Sequence, residues 1–339
     1  MQPIPLVRAR YASGFVTSLR ERGAPVERYL EQAHLPIDLL ENADGLISAF
    51  SLWSFAGDAA RDTGIRDLGL AAGAAPVAAH GEFGTKVIYA PTLYGAINTF
   101  CSEARTEYSR ADFYLTRDAD TAWFCRGPID GTAEQVQQVE LYVLMLMLQT
   151  LRMTLGMDWD PIRLRLQNSD VPGLADTEMI RNTEVEFGCR YSGIAFPISS
   201  LGLPLRISDA TASVPPVPAQ HSMESTGLDD PIQILRDLLG DYLRHRPPTI
   251  NAAAEMTGTS ARTLQRRVML QGLTFTRLIE EVRFEQARSL LTDPRIKITD
   301  IAFELGYSHV AHFTRAFRRM AGIPPREFRA AHHERKGQI

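Results

Sequence analysis

The C-terminal third of the sequence carries one pattern of apolar residues twice, with the two copies 49 residues apart. Within each copy the apolar positions have the spacing of short helices that bury one face. The matched positions are Ala253 with Ala302, Met256 with Leu305, Leu264 with Phe313, and Val268 with Phe317. Self-similarity at a fixed period indicates repeated copies of one supersecondary unit. The pattern therefore predicts an all-helical region built from two similar halves.

The first copy contains the local signals of a helix, a tight turn and a second helix. Residues 250–256 have helical spacing, and Gly258 follows them at a turn where a positive φ is easily adopted. Ser260 is placed as the N-cap of the next helix, because its hydroxyl can accept from a free backbone N–H. Leu264 and Val268, four residues apart, then face the core together. This arrangement predicts a helix-turn-helix.

The opposite face of that second helix carries hydrogen-bonding side chains. Arg262, Gln265 and Arg266 are spaced i, i+3 and i+4, so they share one exposed face. Arginine pairs with guanine and glutamine with adenine in the DNA major groove, and each good bidentate pair contributes about 1–3 kcal/mol of discrimination. On an isolated helix the same residues would form an ordinary solvated face, so this prediction depends on the repeat around them.

The second copy follows the same plan with different outward-facing residues. Residues 306–308 are predicted to form its turn, and Phe313 and Phe317 anchor its second helix. The side chains left towards a groove are His309, Val310, Ala311, Thr314 and Arg315, with Arg318 and Arg319 further along for phosphates. Val310 and Ala311 cannot donate hydrogen bonds, but they can contact a thymine methyl group.

A helix over residues 275–291 is predicted to join the two copies. Its buried stripe is apolar except at Gln286: Phe275, Leu278, Ile279, Val282, Gln286 and Leu290. Three prolines in residues 208–231 (Pro215, Pro216 and Pro218) favour an extended linker. The predicted division is residues 1–207, the linker 208–231, and residues 232–339, with helix-turn-helix units at about 250–271 and 298–321.

Charge separates the same two regions. The whole chain has a net charge of −4, but residues 249–339 contain 15 Lys+Arg against 9 Asp+Glu, a net of +6, which leaves −10 on residues 1–248. A basic region on an acidic body indicates a polyanionic partner for the basic part alone. The motif and the charge therefore agree on double-stranded DNA as a partner.

The region before the linker mixes helical and strand patterns, so an α+β fold is predicted for it. Helical spacing is found at residues 5–22, 51–63, 92–107 and 133–155, and strand patterns at 111–117, 121–126, 162–166 and 184–197. Thr92 is predicted to cap the third of these helices. The apolar run 141–148 in the fourth is expected to be core first and an oligomer seam second.

Composition excludes several classes of protein. Hydrophobic residues make up 45% and charged residues 22% of the chain, as in ordinary globular proteins. Cys101, Cys125 and Cys189 form no metal-ligand cluster, and His309 and His312 have no third ligand nearby, so no metal and no cofactor is expected. No membrane span, secretory signal or catalytic motif is found, which predicts a cytoplasmic protein that is not an enzyme.

Three tracts in the second copy resemble the DNA-binding domain of the AraC/XylS transcription regulators. They are residues 301–308, 312–319 and 322–329, reading IAFELGYS, HFTRAFRR and GIPPREFR. In that family a linking helix holds two recognition helices in successive major-groove segments, about one helical turn (~34 Å) apart. The resemblance implies sequence-specific DNA binding by a bacterial regulator.

The resemblance also assigns roles to individual residues. The base-reading set is Arg262, Gln265, Arg266, His309, Val310, Ala311 and Arg315, and the phosphate-contacting set is Thr263, Arg267, Thr314, Arg318 and Arg319. Family members often have polar residues where this chain has Val310 and Ala311. The second helix is therefore expected to rely more on DNA shape and phosphate contacts.

Residues 8–206 resemble the larger α+β effector domain of one branch of that family, which includes regulators of ornithine utilisation. The resemblance implies an activator that dimerises, works with RNA polymerase, and responds to ornithine or a related amino acid. Carboxylates that suit a cationic ligand are Glu82, Glu103, Glu107, Asp112 and Glu140. Two alternatives stay open: a fatty-acid effector beneath residues 141–148, or a domain used only for dimerisation.

Several prominent residues are expected to be structural. His80 is interpreted as a capping or core histidine before a ligand contact. Trp53, Trp123 and Trp159 are interpreted as core anchors that could also line a pocket. An enzyme fused to a DNA-binding tail would need convergent catalytic groups, and the sequence offers none at recognisable spacing.

Overall fold

The computed structural model describes residues 4–171, 174, 180, 182–206, 231–243 and 248–336. The chain divides into two compact units, one of Pro5–Thr226 and one that contains Gly227–Ile339. Residues 208–230 of the predicted linker lie outside the described residues. Among the described residues, no helix combines the length and the apolar character needed to cross a membrane.

The N-terminal unit contains seven described α-helices and seven strands. The helices are α1 (Ser13–Glu21), α2 (Val26–Gln32), α3 (Ala49–Thr63), α4 (Leu68–Ala72), α5 (Gly81–Ile88), α6 (Leu93–Glu107) and α7 (Ala133–Leu155). The strands are β1 (Leu6–Arg8), β2 (Leu46–Ser48), β3 (Phe113–Asp118), β4 (Thr121–Arg126), β5 (Arg163–Arg165), β6 (Glu184–Glu186) and β7 (Ser192–Pro197). The predicted α+β class is confirmed.

Five of the strands form one mixed sheet in the order β3-β4-β7-β5-β6, and β1 pairs with β2 separately. Only the β5–β6 pair is parallel among these described strands. The β3–β4 hairpin turns tightly at Ala119, whose φ is 49°. Because side chains alternate along a strand, Phe124 of β4 faces the main helical core while Trp123 faces a small cluster on the other side of the sheet.

Helix α7 is the centre of the N-terminal core. It begins at a capping box, in which the Thr132 hydroxyl accepts from the Gln135 N–H and the Gln135 side chain accepts from the Thr132 N–H. Leu141 and Leu148 in its apolar run are both buried, so this run is core, as predicted. Helix α4 lies against it so closely that the Gly69 N–H donates to the Gln138 side chain at 2.8 Å.

One helix prediction and one strand prediction in this unit are wrong. The helix predicted over residues 5–22 is instead the short strand β1, then a 3-10 turn (Ala9–Ala12), and only then α1. Strand β1 exists because its partner β2, some forty residues away, supplies its hydrogen bonds, which no local pattern reveals. The strand predicted over 184–197 is split into β6 and β7 by a turn at Gly188, whose φ is 69°.

The described elements of the C-terminal unit are all helical. They are α8 (Pro231–Tyr242), α9 (Ile250–Met256), α10 (Ala261–Leu270), α11 (Phe275–Leu291), α12 (Ile298–Glu304), α13 (Val310–Ala321) and α14 (Pro325–Lys336). All eight residues of the 49-residue repeat are buried, as their spacing predicts. The two turns, α9–α10 and α12–α13, contain Gly258 and Gly306 at φ of 60° and 74°, a conformation that glycine adopts without steric cost.

Candidate functional site

The first candidate surface is the exposed face of α10. The Ser260 hydroxyl accepts from the Thr263 N–H at 3.2 Å and so fixes the start of the helix. Leu264 and Val268 are buried on one face. On the other face the three predicted base-reading side chains of this helix are exposed: Arg262, Gln265 and Arg266. Three long hydrogen-bonding groups are therefore presented to solvent by a helix whose inner face is fixed in the core.

The corresponding surface of the second unit is formed by α13. Phe313 and Phe317 anchor this helix in a core that also contains Leu291 and Ile301. Of the predicted base-reading residues, three are exposed: His309, Ala311 and Arg315. Val310 is half-buried and packs against the same core, so only part of its side chain is available for a thymine methyl contact.

The predicted phosphate-contacting residues lie on the same two helices. Arg318 and Arg319 are exposed, whereas Thr263, Arg267 and Thr314 are half-buried. The Thr263 and Ser260 hydroxyls lie 2.9 Å apart, so Thr263 also takes part in the cap of α10. Arg319 forms an ion pair that joins α13 to α11.

Acidic residues of α11 connect α13 and α8 to this linking helix. Arg319 Nη2 donates to Glu280 Oε1 at 2.7 Å, and Arg236 Nη2 of α8 donates to Glu281 Oε2 at 2.7 Å. The one polar residue of the α11 stripe, Gln286, donates to the Gly240 carbonyl of α8. These contacts explain why a polar residue lies in an otherwise apolar stripe. They also place α11 as the common support for the elements around it.

An aromatic–cation contact adds to this support. The Arg283 guanidinium lies over the Tyr307 ring, 4.9 Å from its centroid, and such contacts contribute about 0.5–1 kcal/mol at exposed sites. Burial raises the pKa of the Tyr307 hydroxyl. Tyr307 belongs to the α12–α13 turn, so the contact joins that turn to α11.

The second candidate site is a cavity inside the N-terminal unit. Its volume is about 80 Å³. Its walls come from β1, α1, α3, α5, α6, β3, β4 and α7. Most of its lining is apolar or aromatic: Val7, Tyr11, Phe15, Leu52, Trp53, Phe83, Phe100, Ala104, Tyr108, Phe113, Val139, Tyr142, Val143 and Leu146. Of the described residues that line it, only Glu107 and Arg126 carry charge.

Arg126, the last residue of β4, is 4% exposed. Its Nη1 has no hydrogen-bond partner in the described part of the chain. The guanidinium carbon lies 5.8 Å from the centroid of the Phe113 ring. Burial lowers the pKa of Arg126 to about 10, so the group still carries its charge at neutral pH. An unsatisfied buried guanidinium is costly, and it faces a cavity that could hold a partner.

Glu107, at the end of α6, has partners of its own. Its Oε2 lies 3.7 Å from Arg10 Nε, and both Arg10 and Arg8 stabilise its charge electrostatically. Burial nevertheless raises the pKa of Glu107. Glu107 thus has an ion-pair partner, but its Oε2, like Nη1 of Arg126, has no hydrogen-bond partner among the described residues.

His80 is a core residue, as predicted. Its Nδ1 lies 3.2 Å from both the Pro76 and the Val77 carbonyl oxygens. Because carbonyl oxygens only accept, Nδ1 carries the proton and Nε2 accepts from the Tyr142 hydroxyl at 2.9 Å. Burial lowers the pKa of His80. The neutral ring thus orients the hydroxyl of a cavity-lining tyrosine.

The five carboxylates proposed for a cationic ligand have different surroundings. Glu107 alone among them lines the cavity. Glu140 is buried and accepts from the Ser192 hydroxyl and from the backbone N–H groups of Gln167 and Asn168, which makes it structural. Glu82 and Glu103 both pair with Lys86, and Asp112 is exposed. Arg126 was missed by sequence reasoning. Its one signal is a charge at the end of the apolar tract Trp123-Phe124-Cys125.

The fold and these two sites define a protein class: a double helix-turn-helix protein with a separate α+β unit that holds an apolar cavity. Two family models match the chain in the same places. One, described as the arabinose-binding domain of AraC transcription regulators (N-terminal), matches residues 23–205, more than half of the chain. The other, described as a helix-turn-helix domain, matches residues 253–331. The chain belongs to the AraC family of transcription regulators.

Individual relatives are regulators too. The chain is 22% identical over 344 residues to the ornithine utilization regulator of Pseudomonas aeruginosa, covering 96% of this chain and 97% of that protein. It is 32% identical over 111 residues to the HTH-type transcriptional regulator VqsM of the same organism, 33% of each protein. It is 40% identical over 79 residues to the HTH-type transcriptional regulator VirS of Mycobacterium tuberculosis, 23% of each.

The chain thus spans a third or less of VqsM and VirS and nearly all of the ornithine utilization regulator. A solved structure, the transcriptional regulator CdpR from Pseudomonas aeruginosa, covers 90% of this chain and 96% of its own at 19% identity and a TM-score of 0.39. That likeness is too low to carry an argument. The family assignment makes the chain a transcription regulator with an effector-binding N-terminal domain.

Proposed function

We propose that this chain is a sequence-specific transcription activator that binds promoter DNA as a homodimer, through α10 and α13, and works with RNA polymerase. The observation that carries the proposal is the pair of equivalent helices with exposed arginines, Arg262 and Arg266 on α10 and Arg315 on α13. Each helix has its opposite face buried in its own half of the repeat. Such helices suit the major groove, and the exposed arginines suit guanine.

Direct readout is divided unequally between the two helices. Helix α10 offers Arg262, Gln265 and Arg266 to base edges, whereas α13 offers Arg315 and His309 beside the apolar Ala311. Thr263, Arg267, Thr314, Arg318 and Arg319 are assigned to phosphates, which fix the register without reading sequence. The part of the DNA site that α10 contacts should therefore tolerate fewer base changes than the part that α13 contacts.

The test is selection of binding sites from random duplexes by the full chain, followed by competition with shuffled duplexes. The proposal predicts a preferred site bound at least about 10³-fold more tightly than shuffled DNA. Arg262→Ala should weaken binding to the preferred site by about 1–3 kcal/mol and change binding to shuffled DNA little. Arg295→Ala, an exposed arginine outside both helices, is the matched control. Equal affinity for selected and shuffled duplexes would contradict the proposal.

The effector is proposed to bind the cavity of the N-terminal unit and to shift the population of the DNA-competent arrangement. The likeness to an ornithine utilization regulator supports an amino-acid effector, while the apolar lining supports a lipid-like one. The alternative of a scaffold used only for dimerisation predicts that no small molecule stabilises the full chain. Calorimetric screening of ligands against the full chain separates these outcomes.

A further inference from the structure

We propose that the effector cavity takes a monocarboxylate with an apolar body, and that Arg126 is the residue that binds its carboxylate. This inference rests on the proposed function, because it names the ligand class of the same site. Its basis is the buried guanidinium that lines an apolar cavity and has Nη1 unpartnered in the described structure.

The first step of the argument is charge. Neither acidic residue in the electrostatic surroundings of Arg126, Glu140 or Asp112, forms an ion pair with it among the described residues. The oxygens of Glu140 are already engaged by backbone N–H groups and by Ser192. Glu107, the other charged residue of the cavity, faces Arg10 and Arg8. Of the two charged residues that line the cavity in the described part of the chain, Arg126 is therefore the one without an ion pair.

The second step concerns the ligand group that can pair with this positive charge. A carboxylate accepts two parallel N–H bonds from a guanidinium, and such charge-assisted bonds are about twice as strong as neutral ones. The lining, which includes Trp53, Phe100 and Phe113, is mostly apolar or aromatic, and it has no second cationic side chain among the described residues. The remainder of the ligand should thus be alkyl or aromatic, because burying unpaired polar groups there is costly.

The third step excludes a cationic amino acid. Ornithine carries two ammonium groups and one carboxylate at neutral pH, so it would bring two positive charges into the cavity. Among the described residues that line the cavity, Glu107 alone is acidic, so it could pair with only one of these two charges. At least one ammonium would be left buried without a counter-charge. The cavity therefore favours the monocarboxylate over ornithine, and the test includes both.

The experiment is calorimetry of the full chain with a series that differs only in the head group: octanoate, octan-1-ol and octylammonium, with L-ornithine as a fourth probe. Octanoate should bind about 10- to 100-fold more tightly than octan-1-ol, and octylammonium and ornithine should bind more weakly still. Tighter binding of octylammonium or ornithine, or equal binding of octanoate and octanol, would overturn the proposal.

Arg126→Met is the decisive variant. It removes the charge and keeps an apolar side chain, so it should fold at least as well as the wild type, which its thermal melt will show. It should bind octanoate no better than octan-1-ol. Arg126→Lys should keep part of the preference for octanoate. Arg117→Met, at an exposed position of the same hairpin, should behave like the wild type. Full octanoate selectivity in Arg126→Met would overturn the assignment.

These outcomes are separate from those of the proposed function. If the inference about the cavity is wrong but the proposed DNA recognition is right, the chain still prefers its selected DNA site and does not distinguish the head groups of the ligands. If DNA recognition fails instead, octanoate binding and its dependence on Arg126 remain measurable without any DNA.

Discussion

Arg319 on α13 and Glu280 on α11 are 39 residues apart in sequence, and Arg319 Nη2 lies 2.7 Å from Glu280 Oε1. The pair joins α13 to the helix that links the two halves. Both side chains are partly exposed, and such surface pairs contribute about 0–1 kcal/mol to stability. Its larger consequence is electrostatic, because a carboxylate sits beside an arginine that is assigned to DNA phosphate.

Glu280→Gln should therefore strengthen the salt dependence of DNA binding. Removing the carboxylate leaves Arg319 free to neutralise a phosphate, and each phosphate contact contributes about −0.9 to the slope of log K against log salt. The slope should become steeper by up to about that amount, measured with the full chain by titration at several salt concentrations. Glu285→Gln, which removes an ion pair within α11 (Arg288 with Glu285), should keep the wild-type slope. A shallower slope for Glu280→Gln contradicts this account.

Phe317→Ala should disrupt the second helix-turn-helix. The Phe317 ring contacts the rings of Phe284, Phe313 and Phe328 at 5.2, 5.8 and 5.4 Å between centroids. Truncation of such a buried ring costs about 3–5 kcal/mol. Hydrogen exchange of the α13 amides in the full chain should accelerate strongly, and specific DNA binding should be lost. Phe303→Ala, at an exposed position on α12, should exchange like the wild type. Similar exchange in both variants would refute the role of Phe317.

Gly69→Ala should destabilise the N-terminal unit through the contact between α4 and α7. A Cβ at Gly69 would overlap the Gln138 carbonyl oxygen, and this backbone cannot yield without moving α7. We expect a loss of about 1–3 kcal/mol, seen as a lower melting temperature. Gly202→Ala is the control, because no atom lies within 4 Å of the added Cβ. An unchanged melt of Gly69→Ala would show that the two helices separate easily.

His80 should make the stability of the N-terminal unit depend on pH. Burial lowers its pKa below the ordinary value of 6.5, and the Arg10 charge lowers it further. The unfolded chain therefore binds the proton first, and stability falls as the pH decreases below about 6.5, by up to about 1.4 kcal/mol per pH unit. Thermal melts between about pH 7.5 and about pH 5.5 should show a smaller drop for His80→Gln. His312→Gln, exposed in the other unit, should keep the wild-type drop. Equal drops in all three proteins contradict the assignment.

Local signals in the sequence were sufficient to place the two longest helices and the turn and cap of the first helix-turn-helix. Helices α7 and α11 lie at the predicted residues, because each combines a capping threonine (Thr132 or Thr274) with a long stripe of buried apolar residues. Gly258 and Ser260 likewise act in the turn and the cap as their chemistry predicts. The repeat supplied what single helices lack, since the matched positions are buried in both copies.

The cavity could not be predicted in the same way. Its lining runs from Val7 to Leu146 in eight elements, and which side chains meet there depends on long-range packing. Strand β1 was missed because three residues carry too little periodicity without their partner strand. Arg126 reads as an ordinary strand end in the sequence, and its buried state arises only once α6 and α7 cover the sheet.

The central claim is that α10 and α13 read separate parts of the same DNA site. A single measurement can test it directly. The measurement is base-by-base specificity of the full chain as wild type, Arg262→Ala and Arg315→Ala. We predict that each variant loses preference at its own base pairs, and that the two sets lie about one helical turn (~10 bp) apart. Loss at the same base pairs, or unchanged preference in both variants, would contradict the account.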